Sequence, residues 1–137
     1  MTRPTIVIDT NVWISGPVFG GRPKQVIELF IDGQVMLVIS EELLTELRRK
    51  IHQRFPAFAA QLPMLEALIR ERAQIVQLGS FFTSISRDRD DDKFIETAII
   101  GQADFIVSGD KDLLDLKRYG TIVILRPAEL LDRLLQI

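Results

Sequence analysis

The chain has no cysteine and a single histidine, His52. Without thiols there is no disulfide framework, no thiolate zinc site and no cysteine nucleophile, and a reducing compartment suits the sequence. A zinc hydrolase that needs several His ligands is excluded, and a Ser-His-Asp scheme would have to use His52, which reads as a surface residue of a charged helix. Charge of one sign is also lacking. The formal net charge is −2, with acids and bases mixed along the chain. No global field draws the protein onto nucleic acid, so any such binding must come from a local patch. Long apolar runs are missing too: the opening MTRPTIVIDT lacks the apolar stretch of a signal peptide, and no segment approaches the length of a membrane span. A soluble cytoplasmic protein without a membrane partner is expected.

What is present suits one core. The 137 residues are 47% hydrophobic, enough for one domain over 1–137 with little room for two. Short β-branched runs at 5–8 (TIVI), 35–39 (VMLVI), 74–78, 105–107 and 121–125 read as strands. Between them lie helical patterns over 24–32, from Ser40 to about His52, over 56–73 in two pieces, over 91–102 and over 112–117. A last helix opens at Pro127. Ser40 is placed as a helix N-cap, followed by Glu41 and Glu42 at the positive end of the dipole. Residues 16–23, rich in Gly and Pro, read as a loop. Strands alternating with helices predict an α/β fold with a mainly parallel sheet and helices on both faces.

In such sheets ligands bind at the carboxyl ends of the strands, where helices also begin. Asp9, the run Asp90, Asp91 and Asp92, and the pair Asp110 and Asp112 all fall at such points. Carboxylates gathered at one edge repel one another unless hard cations neutralise them, which predicts a Mg²⁺- or Mn²⁺-dependent phosphodiesterase. Each acid also has an ordinary alternative as a turn or cap residue. Within the run, Asp91 is preferred because it opens the helix one turn before Ile95. Asn11 and Ser15 are candidates to support Asp9 by hydrogen bonding, and Ser108 is either a supporting donor or a strand-end residue. Asp104 precedes its strand and belongs to the opposite edge. Spacing leaves Glu41 and Glu46 undecided, since they border the Leu43, Leu47 and Ile51 stripe on opposite sides. Trp13, an aromatic in an apolar run, reads as core rather than as a base-stacking residue.

Four segments in order, IVIDTNVWIS, ISEELLTELRRKI, RDRDDDKFIETAIIGQAD and FIVSGDKDLLDL, resemble the motifs of the PIN-domain family. The likeness covers nearly the whole chain and is nearest to the PIN proteins that serve as VapC-like toxins of toxin–antitoxin pairs. It implies a three-layer α/β/α fold whose acidic pocket holds one or two Mg²⁺ or Mn²⁺ ions and cleaves single-stranded RNA. It carries Asp9, Glu46, Asp91 and Asp110 into that pocket as catalytic residues, with Asp9, Asp91 and Asp110 on the metal. Through this resemblance Glu46, not Glu41, becomes the acid of its helix. Relatives often read Asp-Pro where this chain has Asp88-Arg89, and the triple Asp leaves Asp92 one position from the chosen acid; Asp112 matches a less critical family acid. The resemblance also implies a small antitoxin partner and a homodimer.

Substrate phosphates need cations near the pocket, for which Arg22, Lys24, Arg87, Arg89 and Lys111 are the candidates. A phospho-acceptor receiver domain is disfavoured because the second strand ends at Ser40 where an acid would serve. A phosphatase with a second Asp two residues beyond the first is disfavoured by Asn11. A PIN fold acting only as a binding or scaffold module is the alternative from a different class.

Overall fold

The computed structural model describes residues 3–79 and 89–135, with the side chains of residues 89–91 left out. The predicted loop of residues 84–89, including Arg87, therefore lies outside the described residues except for the backbone of Arg89. The first strand, β1 (Thr5–Ile8), passes directly into α1 (Thr10–Phe19), which is followed by α2 (Gly21–Ile31) and β2 (Met36–Ser40). Then come α3 (Glu41–Arg54), a 3₁₀ turn (Pro56–Gln61), α4 (Leu62–Arg72) and β3 (Gln74–Val76). The second half contains α5 (Arg89–Ile100), β4 (Phe105–Val107), α6 (Lys111–Leu116), β5 (Arg118–Tyr119), β6 (Ile122–Leu125) and α7 (Pro127–Leu135).

The six strands form one sheet in the order β3-β2-β1-β4-β6-β5, parallel throughout except for the antiparallel β5–β6 pair. The core strands read as continuous apolar runs because helices cover both faces. Ile6, Val7, Ile106 and Val107 have no exposed surface at all. Each large aliphatic side chain buried in this way contributes about 1.5–3 kcal/mol relative to exposure. The α5 helix packs across β1, β2 and β4, while α1, α2 and α7 pack together and α7 reaches β6. The result is the expected three-layer α/β/α sandwich.

Besides the short β5, which was not expected, and a β3 that ends at Val76 rather than residue 78, one larger element differs from the sequence expectation. Residues 10–19 form a helix that runs through Gly16 and Pro17, where a loop was expected, and the break falls instead at Gly20 and Gly21. Both glycines take positive φ, 73° and 71°, a region costly for residues with a Cβ. Trp13 lies in the core at 1% exposure, edge-on to Phe30 with ring centroids 6.1 Å apart. At the end of α5, Gly101 meets Val38 of β2 so closely that a Cβ there would overlap the valine side chain. That contact sets how near α5 lies to the sheet. Among the described residues no helix is long and apolar enough to cross a membrane.

Candidate active site

The strand order makes β1 and β4 neighbours, with the chain running outward from β1 on one side and from β4 on the other. Their carboxyl ends therefore flank the topological switch point, where open α/β sheets form a crevice. Asp9 follows β1 directly, and its backbone N–H donates to Val107 O at 2.9 Å. Ser108 follows β4, and its hydroxyl donates to Asp9 Oδ2 at 2.6 Å. The Ser108 hydroxyl oxygen in turn accepts the backbone N–H of Asp110 at 2.9 Å. One serine thus fixes both acids.

Asp9 is 2% exposed and caps α1, its Oδ1 accepting the N–H of Asn11 at 3.0 Å. Burial pushes its carboxyl above the ordinary range, opposed by the Ser108 and Asn11 hydrogen bonds and the Lys50 charge, and reinforced by the charge of Asp110. Asn11 supports Asp9 through its backbone, and its side chain is exposed. Ser15 is half-buried on α1. Asp110 is likewise a cap, accepting the N–H of Asp112 at 3.0 Å at the start of α6.

The α3 helix begins where β2 ends, and Ser40 caps it by accepting the N–H of Leu43 at 3.2 Å. Ser40 also shares a hydroxyl–hydroxyl hydrogen bond of 3.1 Å with buried Thr97 of α5, and Thr97 donates to Lys93 O at 2.6 Å. The two acid-bearing helices are joined there. Glu46 is 7% exposed and accepts a hydrogen bond from the Thr10 hydroxyl at 3.1 Å, with Thr10 next to Asp9 in the chain. Glu41, by contrast, points outward to Arg70 at 2.8 Å, which holds its carboxyl below the ordinary range.

Two lysines converge on Glu46. Lys93 Nζ lies 3.2 Å from Oε1, and Lys50, one turn further along α3, lies 3.9 Å from the same oxygen and donates to Thr10 at 3.3 Å. Lys50 and Thr10 were not singled out from the sequence. The i,i+4 spacing of Glu46 and Lys50 was the one available signal; the Lys93 contact depends on how α5 meets α3 and has none.

The backbone of the Asp90–Asp92 run forms the first turn of α5, but the side chains of Arg89 and Asp91 lie outside the described residues. Asp92 is buried at 7% exposure. With burial and Glu42 it raises the carboxyl of Glu96, one turn along the helix, burial being the larger cause. Arg22, Lys24 and Lys111 are exposed. Lys24 borders an apolar groove of about 740 Å³ lined by Ile14, Val18, Phe55, Phe58 and Leu65, which includes none of Asp9, Glu46 and Asp110.

The donors gathered at the switch point are all oxygens, the set preferred by Mg²⁺ and Mn²⁺, and a cation there would relieve the burial of Asp9. Among the described residues no three acids come close enough to hold one ion.

Fold and site define an α/β protein with a carboxylate crevice at its switch point. Residues 5–112 match the PIN domain family model, and the chain belongs to that family. No curated protein matches the sequence. Among solved structures, the chain is similar to one in the crystal structure of VapBC2 from Rickettsia felis bound to a DNA fragment from their promoter. The TM-score is 0.59 at 15% identity, over 88% of this chain and 96% of that one, a likeness of fold.

Proposed function

We propose that residues 1–137 form a single nuclease domain, a metal-dependent endoribonuclease that cuts single-stranded RNA as the VapC-like toxin of a toxin–antitoxin pair. The observation that carries this reading is buried Asp9 at the switch point, joined through Ser108 to the backbone of Asp110. A carboxylate made costly by burial and a like-charged neighbour suits a cation site, and such perturbed groups cluster at functional sites.

Asp9 and Asp110 would hold the metal together with Asp91 of the first turn of α5, whose side chain lies outside the described residues; the buried Asp92 does not complete a three-acid set with them. A divalent cation, Mg²⁺ or Mn²⁺, supplies the Lewis acidity that activates water and neutralises charge on the phosphate. Ser108 and the Asn11 N–H hold the Asp9 carboxylate in one orientation, and the Asp112 N–H does the same for Asp110. Glu46, aligned by Thr10, orients the attacking water. Lys111, beside Asp110, and Arg87 and Arg89, ahead of the α5 acids, meet the RNA backbone, with Arg22 and Lys24 further out. Among the described residues no general base of the histidine type is near, and this scheme requires none.

The apolar groove, with exposed Met64 in its wall, supports docking of a small antitoxin protein. A homodimer is part of the same reading; light scattering at micromolar concentration that finds only monomer removes it.

The test is cleavage of a mixed-sequence single-stranded RNA with Mn²⁺, beside an EDTA control and Asp9→Asn. Metal-dependent cutting that is lost in the variant supports the nuclease. The second reading is a PIN module that only binds partners, which two lysines held against Glu46 in place of a cation would suit. A calorimetric Mn²⁺ titration without heat decides for the module.

A further inference from the structure

The ion pairs of Glu46 differ from those that Arg70 and Arg48 make among the described residues. Arg70–Glu41 and Arg48–Glu66 hold their arginine partners 42% and 44% exposed, as ordinary surface pairs do. Lys50 and Lys93 are 19% and 29% exposed, and both reach an 8% exposed Glu46 side chain. One ammonium group would satisfy one carboxylate. Here two converge, and Lys50 serves more than Glu46: it donates to Thr10, the residue after Asp9, and its charge acts on Asp9 itself.

We propose that Lys50 and Lys93 are resident counter-ions of the acidic pocket, standing in for a second divalent cation so that each chain takes one Mg²⁺ or Mn²⁺. The inference rests on the nuclease reading above, in which Asp9, Glu46, Asp110 and one acid of α5 share the pocket. Four carboxylates less two ammonium groups leave two negative charges, which one divalent cation neutralises. A second ion would meet two fixed positive charges at short range, with a sheet edge on one side to limit screening.

The test is calorimetric titration of Mn²⁺ into the metal-free full chain, with thermal unfolding in EDTA as a control on folding. The wild type takes one ion per chain. The Lys50→Met/Lys93→Met double variant takes a second, or binds the first roughly ten-fold or more tightly, the change expected when fixed positive charges leave a metal site. Lys93→Arg keeps the charge and behaves as the wild type. Should the double variant fail to fold, Lys93→Met alone binds the first ion several-fold more tightly. Two ions bound by the wild type, or variants with unchanged stoichiometry and affinity, overturn the counter-ion role and leave the metal-dependent nuclease standing. No binding by any variant removes both.

Discussion

The two edges of the sheet carry the same residue type in different surroundings. At the amino-terminal edge Asp104 is exposed and accepts the N–H of Thr5 at 2.9 Å, a strand-edge hydrogen bond at the surface. At the carboxyl edge Asp9 also accepts a backbone N–H, but it is only 2% exposed and has Asp110 nearby. Sequence position relative to a strand separates the two, and burial gives one of them a chemistry. The contrast between Glu41 and Glu46 repeats the lesson within one helix: five residues apart, one faces solvent and Arg70, the other Thr10 and two lysines.

The largest effect expected from breaking this contrast is on cleavage. Asp9→Asn should lower the RNA cleavage rate by on the order of 10³-fold, the scale of losing a preorganised charge at a reacting phosphate. Asp104→Asn should leave the rate unchanged within error in the same gel assay. Next, Glu46→Gln should reduce cleavage by on the order of 10²-fold, whereas Glu41→Gln should not, although Glu41 has the shorter ion pair. Equal losses in the two variants would show that the edge contrast does not govern function.

Stability sharpens the comparison from the other side. Gly101→Ala places a methyl against Val38, away from the acids, and should cost about 1–3 kcal/mol in denaturant unfolding. Asp9→Asn should act in the opposite direction. Because burial raises the Asp9 pKa in the folded state, the native protein binds that proton more tightly than the unfolded chain. The ionised group therefore destabilises the fold at neutral pH, and the penalty fades as pH falls through the raised folded value toward 3.8. In EDTA the variant should melt above the wild type at pH 7, with the gap closing near pH 4. A gap that widens on acidification would mean that the Ser108 hydrogen bond outweighs burial.

Much of this was legible in the sequence. The parallel sheet, the Ser40 cap and the meeting of Asp9 with the segment after β4 all follow from apolar runs ending at polar residues. The helix α1 was not, for a physical reason: Thr10, Val12, Trp13, Ile14 and Gly16 are all buried, and its outer face carries Asn11, Ser15 and Phe19 with no charge to mark the period, while Gly16 and Pro17 imitate a loop. The two-residue strand β5 is too short to leave a pattern. Lys93 carries no sequence mark of function, and Lys50 only its i,i+4 spacing from Glu46, because charged residues on helices usually face water. What sets them apart is the approach of α5 to α3, a tertiary fact.

That approach runs through Ser40 and Thr97, and it has a consequence for how the molecule opens. Loosening α5 from the sheet removes Thr97 from Ser40, and so disturbs the oxygen that holds the Leu43 amide at the start of α3. Local unfolding of either helix should then expose the other. In hydrogen exchange the amides of both should share one opening free energy, so the acids of α3 and α5 would be lost and regained as a unit.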